Sequence, residues 1–315
     1  MERLKIILVS AIMVSVSFFV ATSAGADLGT GGADGDPDCD GVPTWWEQMW
    51  GYDPLEWDDH ANLDPDNDGL DNVEEYLTSG WDSDPFGQDI FLELAQMEPG
   101  PNGEGAVVPE LSKDMLRNAY GRHNIAFHIV DTVIPFDGAT TMAELHEFYL
   151  KYFLENDTNS WKRGVFHYGI MPYHCTVYAG FAFSTTVDGE NYSLDSFQVS
   201  VMNRENALLK NPIYWLMRCK TLSGERSRAT AYAGVIMHEM GHNLGIFHSN
   251  SPGCDNVDSI ILQKEWLKWR NYRSCMNYDR VYNLVDYSDG SHGKNDFDDW
   301  GFIDLTFFQN EFSWH

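Results

Sequence analysis

Basic residues are scarce in this sequence. Its 315 residues include 48 Asp and Glu but only 20 Lys and Arg, which gives a formal net charge of −28. So few positive charges cannot neutralise a run of phosphates, and the composition therefore argues against a nucleic-acid partner. An acidic surface of this kind suits a soluble protein that binds cations. Apolar residues make up 43% of the chain, which excludes a wholly disordered protein.

Long apolar runs are also missing, apart from one at the start of the chain. Arg3 and Lys5 precede a mostly apolar run over residues 6–20, and a small-x-small cleavage site ends at Ala26. This pattern is typical of a secretory signal peptide, which we predict over residues 1–26. The run is shorter than the ~20 residues of a membrane helix, so we expect no span in the mature chain. The sequence therefore predicts a secreted, extracellular protein, and it leaves the oligomeric state open.

The negative charge is concentrated in residues 27–86, which contain 18 acidic residues and no Lys or Arg. Two segments in this region, 28 residues apart, fit the pattern D-x-D-x-D-G-x5-E, so they form an internal repeat. The predicted ligand positions are Asp36, Asp38, Asp40, Val42 and Glu47 in the first repeat, and Asp64, Asp66, Asp68, Leu70 and Glu75 in the second.

This spacing provides the oxygen ligands that Ca²⁺ prefers. The three Asp carboxylates, the backbone carbonyl of Val42 or Leu70 and a bidentate Glu supply the six to eight hard oxygens of a calcium shell. A merely acidic loop is the alternative, but its clustered carboxylates would repel one another without a cation. The repeats resemble thrombospondin type 3 and dockerin-like calcium repeats, which implies a small calcium-stiffened module with about two structural Ca²⁺ ions.

From residue 87 the pattern changes to longer elements that alternate between strand and helix. We predict strands at residues 89–94, 125–130, 165–171, 181–184 and 197–201, and helices at residues 111–120 and 142–153. This order favours an α+β domain in which helices pack on a mixed sheet. We therefore expect two structured parts, a calcium module at 27–86 and a second domain at 87–315.

The strongest signal for chemistry is the motif H-E-x-x-H-x-x-G-x-x-H, which ends at His248. His238 and His242 lie four residues apart on a helix-compatible run, so both imidazoles can reach one metal ion. Gly245 can adopt a positive φ and turn the chain back, so that His248 supplies a third nitrogen. Three histidines and a water form an open catalytic zinc site. Three structural histidines on a helix are the alternative interpretation.

Glu239 lies beside the first histidine of this motif. It is placed to take a proton from a zinc-activated water and to pass it to a leaving amine, which makes it the candidate general base.

A Met-containing segment, Ser274-Cys-Met276-Asn-Tyr278, follows further along. With the histidine motif, it resembles the metzincin zinc endopeptidases, in the neighbourhood of the pappalysins and astacins. The resemblance implies a twisted mixed sheet, an active-site helix and a C-terminal helix. It also implies one catalytic Zn²⁺ on His238, His242 and His248, with Glu239 as the base.

The same resemblance assigns roles to two residues of this segment. Met276 would form an apolar floor beneath the metal. Tyr278 would coordinate zinc or stabilise an oxyanion, and an ordinary core tyrosine is the alternative.

Two further segments carry weaker resemblances. Asp298 and Asp299 resemble an acid pair that opens the C-terminal helix of matrix metalloproteinases and braces the Met-containing turn. A plain helix N-terminus rich in Asp explains them equally well. The segment from Gly180 to Phe183 loosely resembles an edge strand on which a peptide substrate binds by strand addition.

The sequence contains five cysteines, and in an oxidising compartment four of them can form two bridges. We expect a bridge between Cys254 and Cys275, with Cys175 and Cys219 paired by elimination. Cys39 is then left over, and three roles stay open for it: a free or intermolecular thiol, an unforeseen pairing, or a ligand that keeps the zinc site latent.

These observations together predict a secreted metalloendopeptidase that hydrolyses protein or peptide substrates. The main alternative is a calcium-dependent extracellular adhesion or scaffold protein whose peptidase fold is inactive. A zinc amide hydrolase that acts on non-peptide substrates is a third interpretation.

Overall fold

The computed structural model describes residues 35–105, 107–176, 180–187, 190–201, 225–256 and 264–309. The predicted signal peptide and the predicted pairing partner Cys219 lie outside the described residues.

Five strands form one mixed sheet in the order β2-β1-β3-β5-β4. Strands β1, β2, β3 and β5 run parallel, and β4 runs antiparallel to β5 at the sheet edge. β1 lies between two parallel neighbours and is buried along almost its whole length, which explains why its sequence is mostly apolar rather than alternating. The bounds are Asp89–Met97 for β1, Ala126–Ile134 for β2, Phe166–Met171 for β3, Gly180–Val187 for β4 and Glu190–Val199 for β5.

Six α-helices occur in the described part of the chain. They are α1 Thr44–Trp50, α2 Asn72–Thr78, α3 Glu110–Gly121, α4 Met142–Phe148, α5 Glu225–Asn243 and α6 Lys264–Trp269. Capping boxes begin α2 and α4, at Asp71 with Glu74 and at Thr141 with Glu144. A π-helical turn, Tyr149–Phe153, extends α4, and short 3-10 turns occupy His60–Asn62, Ser79–Trp81 and Phe307–Gln309.

The predicted α+β class with a mixed sheet is confirmed. The expected C-terminal helix is wrong for the described residues, because residues 298–306 form bends, turns and an isolated bridge, followed by one 3-10 turn. Side chains in this segment bond to the nearby backbone instead: Asp298 accepts from the Gly301 N–H, and Asp304 accepts from the Thr306 N–H. Such local bonds compete with helical hydrogen bonding.

Helix α5 is the longest helix described, and it packs on β4, β5 and α3. Two glycines let neighbouring segments approach its backbone closely. A Cβ built on Gly241 would lie 2.5 Å from the sulfur of Met276, and one on Gly234 would collide with the carbonyl oxygen of Val281. The chain after Cys275 therefore crosses α5 at a distance that only glycine permits.

Candidate metal centres

Helix α5 presents His238 and His242 one turn apart on the same face, as their spacing predicts. Both side chains are buried, and their ring centroids lie 5.0 Å apart with perpendicular planes. Gly245 has a φ of +85°, so it ends the helix in the predicted left-handed conformation. The chain then brings His248 to an exposed position beyond the turn.

Each of the three histidine rings is oriented by a backbone carbonyl. The Nδ1 atom of His238 lies 2.9 Å from the Cys275 oxygen, and that of His242 lies 2.9 Å from the Ile246 oxygen. The Nδ1 atom of His248 lies 3.3 Å from the carbonyl oxygen of Cys254. A ring that donates through Nδ1 keeps the Nε2 lone pair for a metal, which is the usual outer arrangement around ligating histidines.

Asp255 lies against the two buried histidines, His238 and His242, although the sequence analysis did not single it out. Its two carboxylate oxygens lie 3.1 Å from Nε2 of His238 and 3.5 Å from Nε2 of His242. The donor atoms of His242, Cys254 and Asp255 fall within 4.8 Å of one another, as do those of His238, Glu239 and His242. No motif spacing marked Asp255, because a turn with φ +51° brings it to the histidines.

The charges of His238 and Asp255 act on each other. Burial opposes the charged ring of His238, but the hydrogen bond to Asp255 and the charges of Glu239 and Asp255 outweigh it and raise the pKa of His238 to about 9. Burial likewise acts to raise the pKa of Asp255, yet hydrogen bonds from both histidines hold it far below its usual range. The pocket therefore favours a carboxylate beside positive charge.

Glu239 lies on the same helix with its side chain buried against strand β4. Burial raises the pKa of its carboxyl group, and the nearby His238 and His242 oppose that shift. The backbone of Ala182 in β4 donates a hydrogen bond to it. Any side chain at Gly180 would collide with the Glu239 carboxylate. The candidate base thus sits between the histidines and the edge strand of the sheet.

Tyr278 lies over the first histidine. Its ring stacks on that of His238 with centroids 5.4 Å apart, and its backbone N–H donates to Oδ1 of Asn256. Burial raises the pKa of its phenol, and the charges of Asp255 and Glu239 add to that shift. The residue is 38% exposed, so its position at the mouth of the site differs from that of an ordinary core tyrosine.

Met276 and Asp299 are buried in the segments around the site. Met276 is fully buried and packs against α5 at Gly241, the residue before His242. The buried Asp299 carboxylate accepts hydrogen bonds from the hydroxyls of Ser251 and Tyr272, at 2.7 and 2.8–2.9 Å. Of the two explanations for this acid, the structure favours bracing of the segments around the site, because Asp299 begins no helix.

The cysteines around the site are not joined to each other. Cys254 and Cys275 are free buried thiols in the structure, so the predicted bridge between them is not formed there. Their segments are nevertheless adjacent, since the Asp255 N–H donates to the Met276 carbonyl at 3.1 Å. Cys39 is an exposed free thiol, which matches the first of its three open roles.

The two acidic repeats form loops of the same shape, loop 1 (residues 36–47) and loop 2 (residues 64–75). Each begins with an Asp whose two oxygens accept the backbone N–H groups of positions 4 and 6. The glycine at position 6 has a positive φ in both, +105° at Gly41 and +96° at Gly69. Each loop leads into a helix that carries the twelfth residue, Glu47 in α1 and Glu75 in α2.

Both loops bury carboxylate oxygens that no protein group satisfies. The two side-chain oxygens of Glu47 and of Glu75 have no hydrogen-bond partner, and the same holds for those of Asp38. Burial first, and then the neighbouring Asp charges, raise the pKa of Glu47 to about 7 and that of Glu75 to about 10. Unpaired buried carboxylates are costly, and a cation in each loop would remove that cost.

His60 is a buried residue next to loop 1 that the sequence analysis did not identify. Its Nε2 lies 3.1 Å from Oδ2 of Asp40, and its Nδ1 lies 2.9 Å from the Asn72 amide nitrogen. The contact with Asp40 does not have hydrogen-bond geometry, so His60 packs against a carboxylate of loop 1 without donating to it.

Comparison with known proteins adds little to this picture. No protein-family profile matches the chain, and no curated protein matches it. A solved structure described as a chaperone-substrate complex aligns with 71% of this chain and 38% of its own, at 13% identity and a TM-score of 0.35. The present chain thus spans well under half of that protein, and so low a score carries no argument about fold or function. No helix among the described residues is both long and apolar enough to cross a membrane.

Proposed function

We propose that this protein is a secreted, zinc-dependent endopeptidase with a calcium-binding module at its N-terminal end. The observation that carries the proposal is the orientation of the three histidines. Each ring points Nδ1 at a backbone carbonyl, and in His238 and His242 the Nε2 atoms face the two oxygens of one carboxylate, that of Asp255. Imidazole nitrogens with a carboxylate suit zinc, and zinc in such a site supplies a Lewis acid that polarises a carbonyl and acidifies water.

The protein's own groups then account for proton transfer and for substrate placement. Glu239 is buried and adjacent to the histidines, so its carboxylate can accept a proton from the attacking water and return it to the leaving amine. Among the described residues β4 pairs only with β5, and an extended peptide could add to its outer edge beside Ala182, whose backbone already bonds to Glu239. Tyr278 places a phenol at the mouth of the site, where it can donate to a developing oxyanion.

We also propose that loops 1 and 2 each hold one Ca²⁺ ion. The support is the set of buried carboxylate oxygens in both loops that no protein group satisfies. Hard oxygens from Asp and Glu side chains suit calcium rather than zinc. In this proposal the calcium module is structural, and the extracellular location predicted from residues 1–26 supplies the ion.

The test is Glu239→Gln, with Glu147→Gln as the matched control because Glu147 lies exposed on α4. The Gln variant should keep about one zinc per chain and lose casein or peptide hydrolysis, since the carboxylate is the base and not a ligand. The control should match the wild type in both respects. Substantial proteolysis by Glu239→Gln would refute the mechanism, and wild-type protein that binds zinc without hydrolysing any protein would favour the inactive scaffold.

A further inference from the structure

The two buried histidines and Asp255 bring three metal-binding side chains together. In both rings Nδ1 faces a carbonyl oxygen, while Nε2 faces the Asp255 carboxylate, with Oδ1 at 3.1 Å from His238 and Oδ2 at 3.5 Å from His242. The two rings lie only 5.0 Å apart and are almost fully buried. Two imidazole nitrogens and both oxygens of one carboxylate are therefore gathered in one small space.

A divalent cation fits between the Nε2 atoms and the carboxylate. Ligand atoms that each sit 2.0–2.2 Å from one tetrahedral zinc ion lie about 3.3 Å from one another. Each histidine has a different Asp255 oxygen close to that distance, at 3.1 and 3.5 Å, as expected of a carboxylate that faces one ion with both oxygens. The carboxylate therefore occupies a place at which a ligand of the same metal would lie.

Asp255 reaches this place from the solvent side of the site. Its side chain is 37% exposed, whereas those of His238 and His242 are 4% and 9% exposed. Its backbone is held in the left-handed region with φ +51°, and its N–H donates to the carbonyl of Met276 at 3.1 Å. The exposed face of the metal position is where water and a substrate carbonyl would enter, and Asp255 covers it.

We propose that Asp255 is a fourth protein ligand of the metal held by the three histidines, and that the form described here is a closed one. A site with four protein ligands has no open position, as in structural zinc sites. Hydrolysis then requires the exposed carboxylate to swing off the metal toward solvent while the backbone of Asp255 stays bound to Met276. This inference rests on the proposed function for the identity of the metal and for His248 as the third ligand.

The experiment uses the full chain loaded with Co²⁺, whose visible spectrum reports the ligands, and azide as a small external ligand. The variants are Asp255→Asn and Asp255→Gly, because Asn and Gly both tolerate the left-handed conformation of this position. The matched control is Asp114→Asn, an exposed residue on α3 that pairs with Arg117. Circular dichroism establishes that each variant is folded.

Azide should leave the wild-type and Asp114→Asn spectra unchanged, and it should shift the spectra of both Asp255 variants. The zinc Kd of the Asp255 variants, measured by competition with a chromogenic chelator, should rise by more than the ~10–100-fold that loss of an outer partner costs. An equal azide response in the wild type, or an unchanged Kd, would overturn the ligand role and leave the proposed peptidase intact. A wild-type chain that takes up neither Co²⁺ nor Zn²⁺ would instead refute the proposed function itself.

Discussion

Loops 1 and 2 share one backbone design but attach to different parts of the molecule. In each, the Asp at position 5 accepts a backbone N–H from outside the loop. In loop 1 the donor is Asp58, which lies in the same N-terminal module, and Nε2 of His60 lies 3.1 Å from the same oxygen. In loop 2 the donor is Asp89, the first residue of β1, and it bonds to Asp68 at 2.6 Å. The same motif is therefore bonded to the N-terminal module in loop 1 and to the central sheet in loop 2.

Further contacts tie loop 2 to the larger domain. The Gln88 amide donates to the carbonyl oxygen of Asp66, and the Gln309 amide donates to the carbonyl oxygens of Gly69 and Gly164. Both Asp89 carboxylate oxygens are engaged as well, one by His128 of β2 and the other by the Asp84 N–H. An ion in loop 2 would thus be separated from β1 by one carboxylate, that of Asp68, and the Asp89 carboxylate continues the contact to β2.

The largest difference between the loops should appear when each loses its twelfth residue. In millimolar calcium, Glu47→Gln should weaken only the module, whereas Glu75→Gln should also loosen β1. A ligand at about 100 times its Kd contributes ~2.7 kcal/mol of stability, so loss of binding should speed β1 amide exchange by about 100-fold. Glu56→Gln, an exposed change in the same module, is the control. Equal protection of the β1 amides from exchange in both loop variants would contradict a specific link between loop 2 and the sheet.

The response to pH should differ between the loops when calcium is removed with a calcium-selective chelator. A carboxyl group whose folded pKa is raised keeps a proton that the unfolded chain has lost, so stability falls as pH rises from about 4.5 to the folded pKa. That decline should end near pH 7 for Glu47 and continue to about pH 10 for Glu75.

Two variants, each of which keeps the twelfth residue of only one loop, distinguish these two contributions. Between pH 7 and pH 9 the melting temperature of calcium-free Glu47→Gln, which keeps Glu75, should still fall. The melting temperature of calcium-free Glu75→Gln should stay nearly level over the same interval. Parallel curves would show that the two glutamates do not differ as their surroundings indicate.

The smallest expected effect concerns position 4, where the loops carry different residues in the same conformation. Cys39 has φ +63° and Asn67 has φ +61°, and Asn tolerates this region better than other side chains. Cys39→Asn should therefore raise the free energy of unfolding of the calcium-loaded protein by about 1 kcal/mol. Chemical denaturation measures the change, and Cys39→Ser controls for loss of the thiol. If Cys39→Ser raised the free energy of unfolding as much as Cys39→Asn, the thiol and not the backbone conformation would be the cause of the lower stability.

Much of the fold could be read from the sequence because its signals are local. The strands and helices from Asp89 to Met171 were predicted within a few residues, since apolar periodicity alone defines them. Strands β4 and β5 proved longer than predicted, because their ends are held by pairing with each other rather than by apolar residues. The C-terminal helix failed because it rested on a resemblance, and local side-chain bonds of Asp298 and Asp304 prevail there.

The candidate site likewise contains some residues that local spacing predicts and others that it does not. His238, Glu239 and His242 follow from helical spacing, and Gly245 follows from the need to end the helix. Asp255 and the carbonyl partners of the histidines depend on how the segment after residue 250 folds back over α5, which no short pattern encodes. Sequence reasoning therefore found the groups that share one element and missed those that only tertiary packing brings to them.

The two glycines of α5 bear on attempts to engineer this protein. Exchanging a helical glycine for alanine is a common way to gain up to ~1 kcal/mol of helix propensity. At residue 241 the added methyl group would meet the sulfur of Met276 at 2.5 Å, and the turn that carries this sulfur also supplies the carbonyl of Cys275 that orients His238. At residue 234 the obstacle is a backbone carbonyl, which cannot rotate away. A substitution chosen to stiffen the helix would therefore displace the turn that fixes its first imidazole.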